Sequence, residues 1–315
     1  MSSRETRLDA LKQLTVDDKY AAFLEQELQA VEAKMYRVEY PDLRARKFIP
    51  LKSDVAPGDE TFAYRVWDVF GEAVWAANYA NGVPTTAVRG EKIIGKTEGI
   101  LAGYSYSTQD LRAAGQANRP LETDLANAAM AAIERKVDRV AALGDTARGF
   151  LGFANHPNPT LLSATASWSN TGTSVDVIFA DLMRLVKRMR SDTVEIFSPD
   201  TLLLPTDAYD AIATRLLNTA NPSGDTVLSA FLKTNPWVKT VESWPRLATA
   251  GVSGAQRAIC YKKSSDIVAL VIPMEPLQHE PQKVALNYHV PVESRFGGVI
   301  VRQPKAVVYM DGVAG

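Results

Sequence analysis

Disulfides are excluded from the start: the 315-residue chain holds a single cysteine, Cys260, and one thiol closes no loop. Histidine is nearly as scarce. With only His156, His279 and His289, no spacing of nitrogen and sulfur ligands suggests a zinc site. Net charge is almost absent, since 35 basic side chains face 36 acidic ones, so no global field draws the chain to nucleic acid or acidic lipid. Long apolar runs are missing too. The longest, around Ile267 to Ile272, falls far below the roughly 20 residues that cross a bilayer. The opening MSSRETRLDALK is polar and lacks the apolar stretch of an export signal. Cytosolic synthesis with no membrane partner is the expectation, and repeats of solenoid type are not found.

What is present suits a globular protein. An apolar share of 46% beside 23% charged residues supports a sizeable core in one large domain, or in two to three connected ones. After a polar tail, Tyr20, Phe23, Leu24, Leu28, Val31 and Met35 recur at helical spacing, with Thr15 and Asp18 as a capping pair. YPDLRARKFIPL, between Pro41 and Pro50, reads as an extended basic connector. Its Arg44, Arg46 and Lys47 are a solvated strand edge in the plain reading and a partner contact in the alternative.

From Thr61 the alternation TFAYRVW predicts a strand. A turn near Gly71 and a return strand in EAVWAANYA would complete a hairpin rich in aromatics (Trp67, Phe70, Trp75 and Tyr79) that is too isolated to be stable alone. Ser107 and Asp110 start a short helix. Asn118 and Pro120 open a long one, carried by Ala126, Met130, Ile133, Val137 and Val140 and closed by Gly144. A helix over Val175 to Arg190 ends in KRMR, cations that complement its dipole or form a docking patch. DTVEIF and TLLL read as strands, followed by a helix after Pro205 with Thr206 as cap. DTVLSAFLKT is a helix stopped by Asn235 and Pro236. From there to the end, strand follows strand, with a bend at Gly297 and Gly298. The composition of elements is α+β.

Four features carry possible chemistry. Residues 90–97, GEKIIGKT, match the phosphate-loop pattern G-x-x-x-x-G-K-[ST]. Yet a true loop is fed by a buried strand and opens into a helix, whereas GVPTTAVR precedes this one and the strand-like EGILAGYSYS follows. The segment therefore reads as a strand or pair of strands. Glu134 and Asp138, one helical turn apart, form a carboxylate pair in principle, but among Arg135, Lys136 and Arg139 they read as a solvated charged face. His156 lies in an asparagine-rich turn and reads as structural. Cys260, in the strand-like AICYKK, reads as a buried small hydrophobe rather than a nucleophile. No catalytic residue, cofactor or metal is nominated.

The ordered series LRARKFIPL, YSYSTQDLRAA, GFANHPN, TLLLPTDAYDAI and FGGVIVRQPKAVVYMDG resembles tailed-phage major capsid proteins with the HK97-like fold, over nearly the whole chain from about Pro41. The resemblance implies an N-terminal arm over residues 1–49 and an extended loop over 50–90 that lies on a neighbour. It implies a peripheral domain over 91–199 and 283–315 whose spine is the helix at 119–143, and an axial domain over 200–282. It further implies a non-enzymatic, self-assembling shell of pentamers and hexamers in the virion, put together in the host cytoplasm around DNA held without sequence specificity. Relatives often carry a long N-terminal scaffolding segment. Here Met1 stands a few residues before the arm helix, so a separate scaffold, or none, is expected, with a portal and a decoration protein as further partners. The hairpin aromatics Trp67, Phe70, Trp75 and Tyr79 are the expected anchors on a neighbour, and Arg44, Arg46 and Arg295 the expected ion-pair partners between subunits. An encapsulin-type nanocompartment shell is the alternative, and a nucleotide hydrolase using residues 90–97 the alternative from another class.

Overall fold

A computed structural model of the chain describes residues 43–52, 54–70, 87–116, 121–217 and 224–315. The expected terminal helix with Thr15 and Asp18, the residues Trp75 and Tyr79, and the helix opening at Asn118 and Pro120 lie outside these residues. The first elements are α1 (Ala45–Phe48), β1 (Leu51–Lys52), β2 (Thr61–Phe70), β3 (Ala87–Lys96), β4 (Glu98–Ser107), α2 (Thr108–Gln116) and α3 (Leu121–Leu143). Next come β5 (Thr160–Ser163), α4 (Val175–Asp192), β6 (Thr201–Leu204), α5 (Thr206–Thr214), α6 (Val227–Thr234) and β7 (Thr240–Ser243). The chain ends in β8 (Arg257–Tyr261), β9 (Val268–Val271), β10 (Met274–Gln278), β11 (Gln282–Val284), β12 (Asn287–Phe296), β13 (Gly298–Val301) and β14 (Val307–Asp311).

The deepest part of the core is a five-stranded mixed sheet in the order β5-β14-β8-β6-β7. Every residue of β6 and β8 is buried, as are Val307 to Met310 of β14. Strands covered on both faces read as unbroken apolar runs, which is why TLLL and AICY show no alternation. On one face lies α4, whose Ile178, Leu182, Leu185, Val186 and Met189 form the stripe set by its 3.6-residue period. At the end of the sheet Arg257 sits opposite Asp311. Its guanidinium donates to both carboxylate oxygens at 2.6 and 2.8 Å and to the Ala154 carbonyl at 2.6 Å. This largely buried fork gives both charges hydrogen-bonded partners, the condition under which a buried ion pair is tolerated.

A second sheet sets β12 between β4 on one side and β10 and β11 on the other. Its inner face, with Ile100, Ala102, Tyr104, Val290 and Val292, packs into the core beside the apolar stripe of α3. At 1.5 Å per residue α3 is a rod of roughly 35 Å. It stops at Gly144, whose left-handed φ of 76° suits glycine, and where a Cβ would stand 2.5 Å from the Phe150 carbonyl oxygen. The short helix α2 begins as the sequence predicts, with Ser107 and Asp110 exchanging capping hydrogen bonds.

Five expectations are corrected. The strand paired with β2 is β3, from Thr61↔Lys96 to Phe70↔Ala87, so the partner of TFAYRVW comes after EAVWAANYA. The connector at Arg44 to Ile49 is a single helical turn rather than extended chain, because Ala45, Phe48 and Ile49 all find buried sites. DTVEIF is not a strand. Thr193 closes α4 by donating its hydroxyl to the Met189 carbonyl, and Val194 and Glu195 take left-handed φ values of 50° and 63°. The alternation of Val194 and Ile196 thus sits at the surface, 82% and 73% exposed. Thr206 is the first helical residue of α5 and Pro205 the cap. Asp138 is no part of a solvated face: it is 4% exposed.

Candidate functional site

The feature that stands apart from these two sheets and from the three-stranded sheet β1-β9-β13 is the ribbon of β2 and β3. Its ten residue pairs run without a bulge, and neither strand has a further strand neighbour among the described residues. At its root the pleat turns Phe62 and Tyr64 inward against Val55, Val271 and Ile300. Phe62 faces Gly95 across the ribbon, and the ring occupies the place of a side chain there, since a Cβ on Gly95 would lie 2.3 Å from the ring tip. The opposite face shows Thr61, Ala63, Arg65, Lys92 and Ile94 to solvent, Ile94 being 64% exposed. A groove of about 660 Å³ runs below the root, lined by Tyr64, Ile93, Leu151, His156, Val301 and Arg302 among others. Burial pushes the pKa of His156 down and that of Tyr64 up. Trp67 and Phe70 are placed as backbone in β2, opposite Gly90 and Ala87.

The connectors that enter this ribbon are tied to the body by the arginines the sequence singled out. Arg46 forks to Glu134 at 2.7 and 3.0 Å and to Glu275 at 2.7 and 2.8 Å, and these bonds, Glu275 first, raise its pKa further. Arg44 donates to the carbonyl and hydroxyl of Ser243 at 2.7 and 3.0 Å. Arg295, on β12, donates to the Pro57 carbonyl. All three thus have partners within their own chain. Asp138 accepts from the Ala45 amide at 3.0 Å and from Arg246 at 2.9 Å, which fixes the turn α1 on the long helix. Composition hid this pairing, because Asp138 sits among three cations in sequence and its partners are 93 and 108 residues away.

Residues 90–97 carry no phosphate loop. Gly90 to Lys96 are strand, Thr97 is the single residue between β3 and β4, and no helix follows until α2. Backbone amides committed to a ladder cannot curl around an anion. Lys96 pairs with Glu98 at 2.8 Å, Glu98 also with Arg148 at 2.6 Å, and the Lys96 ammonium lies 5.2 Å from the Phe150 ring centre. These two cations hold the Glu98 carboxyl below its usual pKa. Cys260 is wholly buried in β8 and burial drives its thiol pKa sharply upward, so it is no nucleophile. Among the described residues no group of histidine, cysteine and carboxylate side chains is arranged for a metal, and no helix is long and apolar enough to cross a membrane.

Comparison with known proteins points to a structural family. The chain is similar to the capsid protein of Myoviridae phage XM1, with 19% identity and a TM-score of 0.77 over 89% of this chain and 95% of that one. It is similar to the capsid of the native GTA particle at 12% identity, TM-score 0.62, over 89% and 94%. It also matches the virus-like particle from Pyrococcus furiosus at 10% identity, TM-score 0.55, over 84% and 90%. At these identities the likeness is one of fold. No curated protein matches the sequence. The profile of the major capsid protein family matches residues 71–313, most of the chain, and with the shared architecture this decides the matter: the chain belongs to the major capsid protein family, has the HK97-like fold and plays a structural part in a capsid shell.

Proposed function

We propose that this chain builds the head shell of a tailed phage from rings of five and six copies, and that the β2–β3 ribbon is the clasp between neighbours. The observation that carries this is the ribbon itself. Two strands alone are marginal in water, yet here ten pairs form a ribbon with no further strand beside it among the described residues, its root seated by Phe62 and Tyr64. Heterologous contacts around an axis close into rings, and many weak contacts per subunit give a shell that corrects its errors while forming.

In this reading residues 1–49 form the arm, and the extended loop is the span 61–96 rather than 50–90, since β3 belongs to it. Residues 97–199 and 283–315 form the peripheral domain around α3, and 200–282 the axial domain. Trp67, Phe70, Trp75 and Tyr79 anchor the clasp on a neighbour. Arg44, Arg46 and Arg295 act indirectly, by holding the connectors from which the arm and ribbon leave. Virion location, a separate scaffold, a portal and non-specifically enclosed DNA complete the proposal.

Purified chain, with a scaffold supplied where one is needed, is expected to form rings or closed shells in negative-stain images. Replacing Val66–Glu91 by an Asn-Gly turn, so that Arg65 and Lys92 keep their register, should leave a folded subunit that no longer assembles. Stable monomers from the intact chain would overturn the proposal. Shells from the shortened chain would remove the ribbon from it.

A further inference from the structure

The span 156–159 is a wall shared by two grooves. His156, Pro157 and Asn158 line the groove of about 660 Å³ below the ribbon root, together with Phe62, Tyr64 and Ile93 of the ribbon. His156, Pro157 and Pro159 also line a second groove of about 460 Å³, beside Leu161, Val252 and Tyr309. Both ends of the span are fixed. Before it, Asn155 accepts from the Gly152 amide at 3.1 Å and donates to the Leu143 carbonyl at 2.5 Å. After it, Thr160 enters β5, which pairs with β14, and donates to Asp192 at 2.8 Å. Between these anchors Pro157 and Asn158 are exposed, so the span has open space on either side.

The turn is closed by a hydrogen bond from the Asn158 amide to His156 Nδ1, 3.3 Å long. An imidazole accepts only through an unprotonated nitrogen, so the neutral ring carries its hydrogen on Nε2 and the next proton goes to Nδ1. Two donors would then face each other. A charged ring is also badly placed here. Burial lowers the pKa of His156 with no neighbouring carboxylate offsetting it, and the two linings already hold the cations Lys96, Arg302 and Arg257. Asp311 is taken up by Arg257, and Glu91, on the ribbon side, is exposed. Tyr64 and Tyr309, the remaining titratable groups of the linings, are pushed upward by burial and stay neutral where histidine titrates.

We infer that the span 156–159 is a proton-operated wall: on acidification His156 turns out to water, the turn to Asn158 opens, and the groove under the ribbon root floods. Water then reaches Phe62 and Tyr64, whose packing against Val55, Val271 and Ile300 seats the ribbon, and the root loosens as that burial is lost. At neutral pH the bond to Nδ1 keeps the wall shut. The device lies within one chain, since wall and root line the same groove, and it does not rest on the shell reading.

Hydrogen exchange of the unassembled full-length chain, corrected for the intrinsic effect of pH on the exchange rate, tests the wall. From about pH 7.5 to about pH 5.5, peptides covering residues 153–160, 61–64 and 93–96 should lose protection about five-fold, while β6 and β8 change little. His156→Gln, whose amide oxygen accepts from Asn158 but takes up no proton, should abolish that loss. His156→Arg, charged throughout, should show it already at about pH 7.5. If the arginine variant fails to fold, the parent and the glutamine variant decide. Titration of the imidazoles by NMR gives a second reading. With three histidines in the chain, His156 is assigned by its absence from the glutamine variant, and its midpoint should coincide with that of the lost protection. A loosened turn beneath an unchanged root overturns the coupling. An equal loss in His156→Gln, or midpoints more than about one pH unit apart, overturns His156 as the trigger. Unchanged protection in all three peptides overturns the inference as a whole, whereas failure of the chain to assemble bears on the shell reading alone.

Discussion

The five-stranded sheet and the β2–β3 ribbon are built from the same residue types with opposite outcomes. In the sheet, β6, β8 and most of β14 are covered on both faces by their own chain. In the ribbon, among the described residues, Phe62 and Tyr64 of one face are seated on the body while Thr61, Ala63, Arg65, Lys92 and Ile94 of the other are exposed. The sheet is finished by the fold of one subunit. The ribbon is a strand pair whose remaining partners are proposed to come from other copies, so the two regions should respond differently to mutation: the sheet in subunit stability, the ribbon in assembly.

The largest stability effect is expected at Ile259, fully buried in β8 between β14 and β6. Ile259→Ala should cost about 3 kcal/mol, by loss of burial and the cavity left behind, measured by urea unfolding of the subunit. Asp138→Ala should follow at about 2 kcal/mol, since it strips the Ala45 amide and Arg246 of a buried acceptor. A variant as stable as the parent would show that the turn α1 does not depend on α3. Gly95→Ala should cost about 1 kcal/mol by driving Phe62 off its seat, and should lower particle yield more than melting temperature. Ile94→Ser should change subunit stability by less than about 0.5 kcal/mol yet reduce assembly, because Ile94 is exposed in the single subunit and the proposed clasp would cover it. An equal loss in both assays would erase the distinction between ribbon and sheet.

The smallest effect is an acid dependence of the groove below the ribbon. Burial keeps His156 neutral to lower pH in the folded chain than in the unfolded one. The unfolded state therefore takes up the proton first, and stability present above about pH 6.5 is lost as the pH falls. His156→Gln should flatten that decline in thermal melts between about pH 7 and 5. A decline of the same slope in the variant would place its origin elsewhere.

Much of the fold was legible because local chemistry and final environment agree. The capping pair Ser107 and Asp110, the stop at Gly144, the stripe of α4 and the break at Asn235 and Pro236 are all decided within a few residues of chain. Legibility failed where a distant partner won. Val194 and Ile196 alternate like a strand, yet the end of α4 turns left-handed there. The connector at Arg44 to Ile49 looked extended between prolines until the core offered Phe48 and Ile49 a buried place. The ribbon was recognisable as a hairpin, but its second strand was not. Ala87–Lys96 contains two glycines and four charges, and it pairs through backbone bonds that are blind to composition.

By itself the sequence determined that this is an α+β chain whose single cysteine closes no internal disulfide, and which apolar runs are too continuous to be anything but core. Hydrophobic period and turn residues act over one or two turns of chain, so they need no knowledge of the rest. Only the tertiary structure decided that Arg46 is forked between two carboxylates, that Asp138 is buried and bonded and that Gly90 to Lys96 are strand. Each of these depends on which groups meet across tens to hundreds of residues, and desolvation and strand pairing take their sign from that meeting rather than from the residue itself.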